Sequence, residues 1–102
     1  MIDHFEIRSL DEFAAEGPIL AVHGGLDADG AREVRSRVLE LSEQGHPRVV
    51  LDLRHVDLLA STGVGTLLLL TETLRNQDQR LVLRDLSATA EQVIDLLNLT
   101  TE

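Results

Sequence analysis

VVLDLRHVDLLASTGVGTLLLL, residues 49–70, contains the change of period on which the fold turns. Its first part continues from Arg48 as a mostly apolar run of strand length, Arg48 to Leu53, β-branched at Val49 and Val50. Such runs suit a central strand covered on both faces. Its last part changes rhythm: Val64, Leu67, Leu68, Thr71 and Leu74 fall at helical spacing as far as about Asn76. Between the two stand Ser61, Thr62, Gly63 and Gly65. A hydroxyl pair beside glycines at the threshold of a helix reads in three ways: a phosphate cradle, a helix cap, or a hydroxyl offered to another protein.

Upstream, His4 to Arg8 alternates as a half-buried strand, with Phe5 and Ile7 on one face. A polar connection to Gly17-Pro18 leads into a second strand, Ile19 to Gly24, which Gly24-Gly25 is expected to break. Residues 26–45 read as a helix, with Ala31, Val34, Val38 and Leu41 at helical spacing. Asp27 or Asp29 is suited to cap its start and Gly45 to stop it. Downstream, Arg80 to Asp85 reads as a strand. Ser87 is a good cap for a last helix that buries Val93, Leu96 and Leu97. The order β-β-α-β-α-β-α, with helix-length crossovers, predicts one α/β domain over residues 1–102. Its sheet is mainly parallel, with the first strand an antiparallel edge.

The composition narrows the function. A formal net charge of −9 disfavours nucleic acid, whose recognition needs Lys and Arg to displace counterions, and disfavours an anionic membrane surface. A partner with a basic patch is the easier one to recruit. All nine basic residues are arginine, so no mechanism here uses a lysine of the chain. The longest apolar run, Leu67 to Leu70, is too short to span a bilayer, so no direct membrane insertion is expected. With no cysteine and no secretory leader, the expected setting is the cytoplasm.

Each reading of the hydroxyl pair has a physical test. A Walker loop needs a lysine, which the chain lacks, and Leu68 occupies the third glycine position of a dinucleotide fingerprint. A cap needs one hydroxyl, accepting from a backbone N–H two or three residues on, with the glycines letting the helix pack closely on its strand. An offered hydroxyl at a helix start is also a poised phosphorylation site, because the dipole favours added negative charge there. His23, His46 and His55 fall on a strand, a turn and a post-strand loop, without metal-ligand spacing. No G-x-S-x-G elbow surrounds Ser61, so His55 does not complete a nucleophile pair. Asp27 and Asp29 read as a solvated helix start rather than a catalytic pair. No catalytic residue, cofactor-binding residue or metal ligand is expected, and the chain is not read as an enzyme.

The stretch "VVLDLRHVDLLASTGVGTLLLL" resembles the signature of STAS domains, the bacterial anti-sigma factor antagonist family. That signature is a strand ending in Asp-Leu, a hydrophobic spacer, then Asp-Ser-Ser/Thr-Gly-Val/Leu-Gly and an apolar helix. "VHGGLDADGAREVRSRVLEL" is similar to the family's Gly-x-Leu-Asp motif and first helix, and "RLVLRDLSATAEQVIDLLNL" to its later strand and short helix. The resemblance covers roughly residues 17 to 99. It implies a single STAS domain that stops before the last strand and helix of many members. Ser61 falls on the serine phosphorylated by the partner kinase, and Thr62 is the second hydroxyl and fallback acceptor. Gly63 and Gly65 are the motif glycines. Asp27 falls on the acid of the earlier motif and also reads as a plain helix cap; the two roles coexist. The acid that precedes the serine in the family is Ala60 here.

The resemblance further implies an anti-sigma factor antagonist that sequesters an anti-sigma factor serine kinase and is switched off by phosphorylation of Ser61. A metal-dependent serine phosphatase resets it, and ATP and Mg²⁺ belong to the partner kinase. The alternative is a STAS regulatory subunit docking constitutively on the ATPase of a lipid-transporting ABC system, which the loss of the acid at Ala60 favours. Either way the expected partner face comprises Asp27, Asp29, Ser61, Thr62, Gly63, Val64 and Gly65. In a mainly parallel sheet, loops leaving the strand C-termini gather at one edge, where such folds bind ligands.

Overall fold

In the computed structural model, residues 5–10 and 17–97 are described. Their elements are β1 (Glu6–Leu10), β2 (Ile19–Leu26), α1 (Ala28–Glu43), β3 (Arg48–Leu59), α2 (Ser61–Arg75), β4 (Arg80–Arg84) and α3 (Ala88–Leu97). The order expected from the sequence is the order observed. The strands form one sheet, β1-β2-β3-β4. β1 runs antiparallel to β2, while β2, β3 and β4 are mutually parallel. Right-handed crossovers in that strand order lay α1 and α2 side by side on one face.

Strand alternation then sorts the side chains. Leu20, Val22, Val49, Leu51, Leu53, Leu81 and Leu83 join Val34 and Val38 of α1 and Leu67, Leu70 and Leu74 of α2 in the main core. Ile19, Val50 and Val82 lie abreast in register and form a smaller cluster; their places in the alternation put them on the opposite face. Ile94 of α3 joins the main core. The side chains of Val93, Leu96 and Leu97 lie outside the described residues, as does His4.

A polar tie closes the end of the sheet away from the candidate site. Buried Ser42, in the last turn of α1, places its hydroxyl within hydrogen-bonding reach of the Gln77 and Gln79 side-chain carbonyls. One proton serves one acceptor at a time. Gln79 Nε2 in turn donates to the Ser42 carbonyl at 3.0 Å. The end of α1 is thereby fastened to the turn between α2 and β4.

Two strands run on past the ends expected from the sequence. β2 does not break at Gly24-Gly25 but runs on to Leu26, still paired with β3. β3 does not end at Leu53 but continues to Leu59, so His55 is a strand residue and not part of a loop. The extension absorbs two register shifts against β2, each an extra residue on β3 of the kind that marks a β-bulge. The charged residues Arg54 and Asp57, exposed on this extension, give it the composition of a loop.

Candidate functional site

The site grows from the parallel pair β2–β3. Both strands end at the same level, Leu26 beside Leu59, and each leads within two residues into a helix. At the α1 start, Asp27 is the N-cap and its Oδ1 accepts a hydrogen bond from the Gly30 N–H at 3.0 Å. Asp29 stands in the first turn with its side chain 90% exposed, paired with Arg32 at 3.1 Å.

The α2 start is built differently. The N-cap is Ala60, in extended geometry, and no side chain caps the helix. This corrects the expectation that Ser61 or Thr62 would cap. Both are already helical residues, one and two positions past the cap, too late for a side chain to turn back onto the first N–H groups. The cap position is fixed instead by tertiary contact: the Ala60 N–H donates to the Leu26 carbonyl at 3.2 Å. The N–H groups of Ser61, Thr62 and Gly63 are left without an intrahelical acceptor, since the first such bond runs from Val64 N–H to Ala60 O.

Gly63 and Gly65, equivalent in the sequence reading, part company. Gly63 is buried, and a Cβ on it would run into the Leu26 carbonyl. That close approach seats the start of α2 on the end of β2. Gly65 is exposed and a Cβ there would meet nothing within 4 Å, so it plays no part in packing α2 on the sheet. Ser61 and Thr62 are exposed and Val64 is half-buried.

The two hydroxyls face different surroundings. Ser61, Gly65 and Leu68 follow each other at helical spacing on the outer side of α2. Thr62 and Thr66, by contrast, line a cleft of about 250 Å³ against α1, whose other walls are Ala28, Ala31, Arg32 and Arg35. Among the described residues three leucines are exposed: Leu58 near the end of β3, and Leu68 and Leu69 on α2. The helical spacing had grouped Leu68 with the core positions Leu67 and Leu74; the core takes Leu70 instead.

One association lies outside the sequence reading. His23 and His55, cross-strand partners in β2 and β3, stack with ring centroids 4.6 Å apart and planes 13° from parallel. Stacked rings turn their faces, not their nitrogens, to each other, so the pair does not converge on a metal. Among the described residues no group of three or more His, Cys, Asp or Glu side chains could hold one. Asp52, of the Asp-Leu pair, is buried and its Oδ1 accepts from the Arg54 N–H at 3.0 Å; it serves its own strand. Among the described residues no helix is long and apolar enough to cross a membrane.

Comparison with known proteins supplies a family. The family model described as "Mlab, STAS domain" matches residues 9–101. A protein of Bordetella bronchiseptica named as an anti-sigma factor antagonist, BtrV, is 28% identical over 78 residues, covering 76% of this chain and 67% of its own. Among solved structures, the anti-sigma factor antagonist SpoIIAA in its unphosphorylated form superposes with a TM-score of 0.76 at 20% identity. That match covers 97% of this chain and 86% of the other. The Bacillus cell fate determinant SpoIIAA in its phosphorylated form gives 0.74 at 20% identity, over 97% and 89% of the two chains.

Proposed function

Because the chain belongs to the STAS domain family, we propose that it acts as an anti-sigma factor antagonist. On this reading it is a binding module and not an enzyme. It sequesters an anti-sigma factor serine kinase through a face built from Asp27, Asp29, Ser61, Thr62, Val64 and Gly65, with Gly63 holding the α2 start in place. Phosphorylation of Ser61 switches the complex off, with ATP and Mg²⁺ brought by the kinase, and a metal-dependent serine phosphatase resets it. The setting is the cytoplasm, with no nucleic-acid ligand.

The observation that carries the reading is the state of the α2 start: Ser61 is exposed, first in its helix, and no side chain occupies the cap. A phosphate there adds about −1.5 to −2 charges where the dipole and unused N–H groups favour an anion. The domain tolerates the charge, while a partner's contact surface meets a dianion. The likeness of this fold to both forms of SpoIIAA supports a switch that works without refolding. Incubation with the cognate kinase and ATP, followed by intact-mass and fragment analysis, tests it. Addition of one phosphate at Ser61 is expected; no addition at Ser61 or Thr62 overturns the switch.

A second reading is favoured by Ala60. With no acid before Ser61, the chain lacks the carboxylate that the family places beside the phosphorylatable serine. Constitutive docking on the ATPase of a lipid-transporting ABC system needs no such group. Affinity capture of the native complex and identification of the bound protein separates the two readings.

A further inference from the structure

Ser61 and Thr62 are neighbours in sequence and share one helix start, so nothing in that start distinguishes them. Their surroundings do. About 100° of helical turn separates adjacent residues, and here it carries Thr62 away from the outer face and into the α1–α2 cleft. Two of the six residues lining that cleft are arginines. Arg32 pairs with Asp29 across exposed surface, a contact of little strength that gives way readily. Arg35 has no ion pair among the described residues, though the chain carries 18 acids. Side chains on a helix lean toward its N-terminus. Arg35 on α1 therefore leans back toward the end of the cleft where α2 begins. The cleft holds two cations and two threonine hydroxyls in a strongly acidic chain, and no carboxylate lines it.

We propose that Thr62 is a second modification site, whose phosphate is received in the α1–α2 cleft by Arg35 and Arg32, clamping the two helices together. The proposal rests on the reading of this face as a kinase substrate and adds a second outcome to it. In the transfer, the Thr62 hydroxyl oxygen bonds to the γ-phosphorus of the kinase's ATP as the bond to ADP breaks. The hydroxyl proton passes to a base on the kinase. The product ester offers three strong acceptors to guanidinium donors suited to bidentate contact. Arg32 exchanges one exposed carboxylate for a dianion, and Arg35 gains a partner. A phosphate at 61 charges the outer face, whereas a phosphate at 62 is neutralised by the chain itself. The same enzyme acting on adjacent hydroxyls would thus produce two different states, one repelling the partner and the other stiffening the domain.

The test uses the full chain with phosphothreonine placed at 62 or phosphoserine at 61 by genetic encoding, with no kinase or partner present. For the 62 form, a Tm about 4 °C above the unmodified protein is expected, the size of a modest added interaction in a domain of this length. Its phosphate should also titrate below the usual value of about 6 when followed by phosphorus NMR. Both effects should shrink in Arg35→Gln and vanish in Arg32→Gln/Arg35→Gln. Arg37→Gln should leave them intact, because Arg37 lines the groove on the β1 side of α1. The 61 form should show no dependence on Arg35. Equal Tm and equal phosphate titration for the 62 form with and without the two arginines overturns the proposal. Because no kinase is used, that result leaves the Ser61 switch standing. Failure of the kinase to modify Ser61 leaves the arginine clamp standing in its turn.

Discussion

The starts of α1 and α2 stand beside each other and are finished differently. At α1 the chain supplies its own anion: Asp27 accepts from the Gly30 N–H, and Asp29 follows in the first turn. α3 is finished in the same way, with Ser87 Oγ accepting from the Ala90 N–H at 3.2 Å. At α2 the cap is an alanine and the first turn holds no acid. A helix start without a capping side chain forgoes about 1 kcal/mol. Among the described helices, the one that gives up this stability is the one whose first residue is an exposed serine. Two starts are closed for folding, and the third is left open to whatever arrives from outside.

The contrast breaks most sharply at Gly63. Gly63→Val drives a side chain into the Leu26 carbonyl, lifting α2 from β2, and should lower unfolding free energy by about 3 kcal/mol in urea denaturation, the upper end of overpacking costs. Gly65→Ala, with open space around it, should leave stability unchanged or raise it by several tenths of a kcal/mol, as replacement of a helical glycine does.

Next comes charge at the open start. Ser61→Asp should keep its Tm, yet bind the partner kinase about a hundredfold more weakly in calorimetric titration, equivalent to roughly 3 kcal/mol. Ser61→Ala should bind and resist inactivation by kinase and ATP. Bulk without charge gives a smaller effect. Gly65→Leu should fold normally but lose at least about tenfold in affinity, equivalent to 1.4 kcal/mol, while Leu69→Met binds as before. Equal binding by both would place the α2 start outside the interface.

The smallest effects exchange the two finishes. Asp27→Ala should destabilise the domain by about 1 kcal/mol, with the loss read as a lower denaturation midpoint. Ala60→Asp should gain about 0.5 kcal/mol, the low end of a cap, by giving α2 what α1 already has. If Ala60→Asp stabilises nothing, the open start reflects a backbone that cannot accept a cap rather than a missing side chain.

The sequence made the topology legible because each crossover is a helix of its own period between apolar runs of strand length. The positions of Val34, Val38, Leu67 and Leu74 needed no more than counting. The helix caps at Asp27 and Ser87 were legible for the same local reason: an acceptor side chain stands three residues before the N–H it serves. The cap at α2 was not, because a long-range bond from Ala60 to Leu26 sets where that helix starts, and propensity alone points to Ser61 or Thr62. The β3 extension was hidden because charged residues punctuate it. The stacking of His23 on His55 depends on a register shift that no spacing within one strand reveals. Of the expected partner face, the sequence gathered residues by motif. It could not tell a glycine required by packing, Gly63, from one that is merely exposed, Gly65, nor a hydroxyl turned outward from one turned toward arginines.

The Leu26 carbonyl has a kinetic consequence. It receives the Ala60 N–H and lies against Gly63, so the start of α2 is pinned to the last residue before Asp27. The two segments of the proposed face therefore move as one piece, and a visiting protein finds them already arranged. Association should then follow a single exponential whose rate grows linearly with concentration, without the plateau that a slow rearrangement imposes. With a net charge of −9 on the chain, that rate should fall steeply as salt is added. A phosphate on Ser61 leaves the long-range attraction to a basic partner in place, so its effect on affinity should appear as a faster departure and not as a slower encounter.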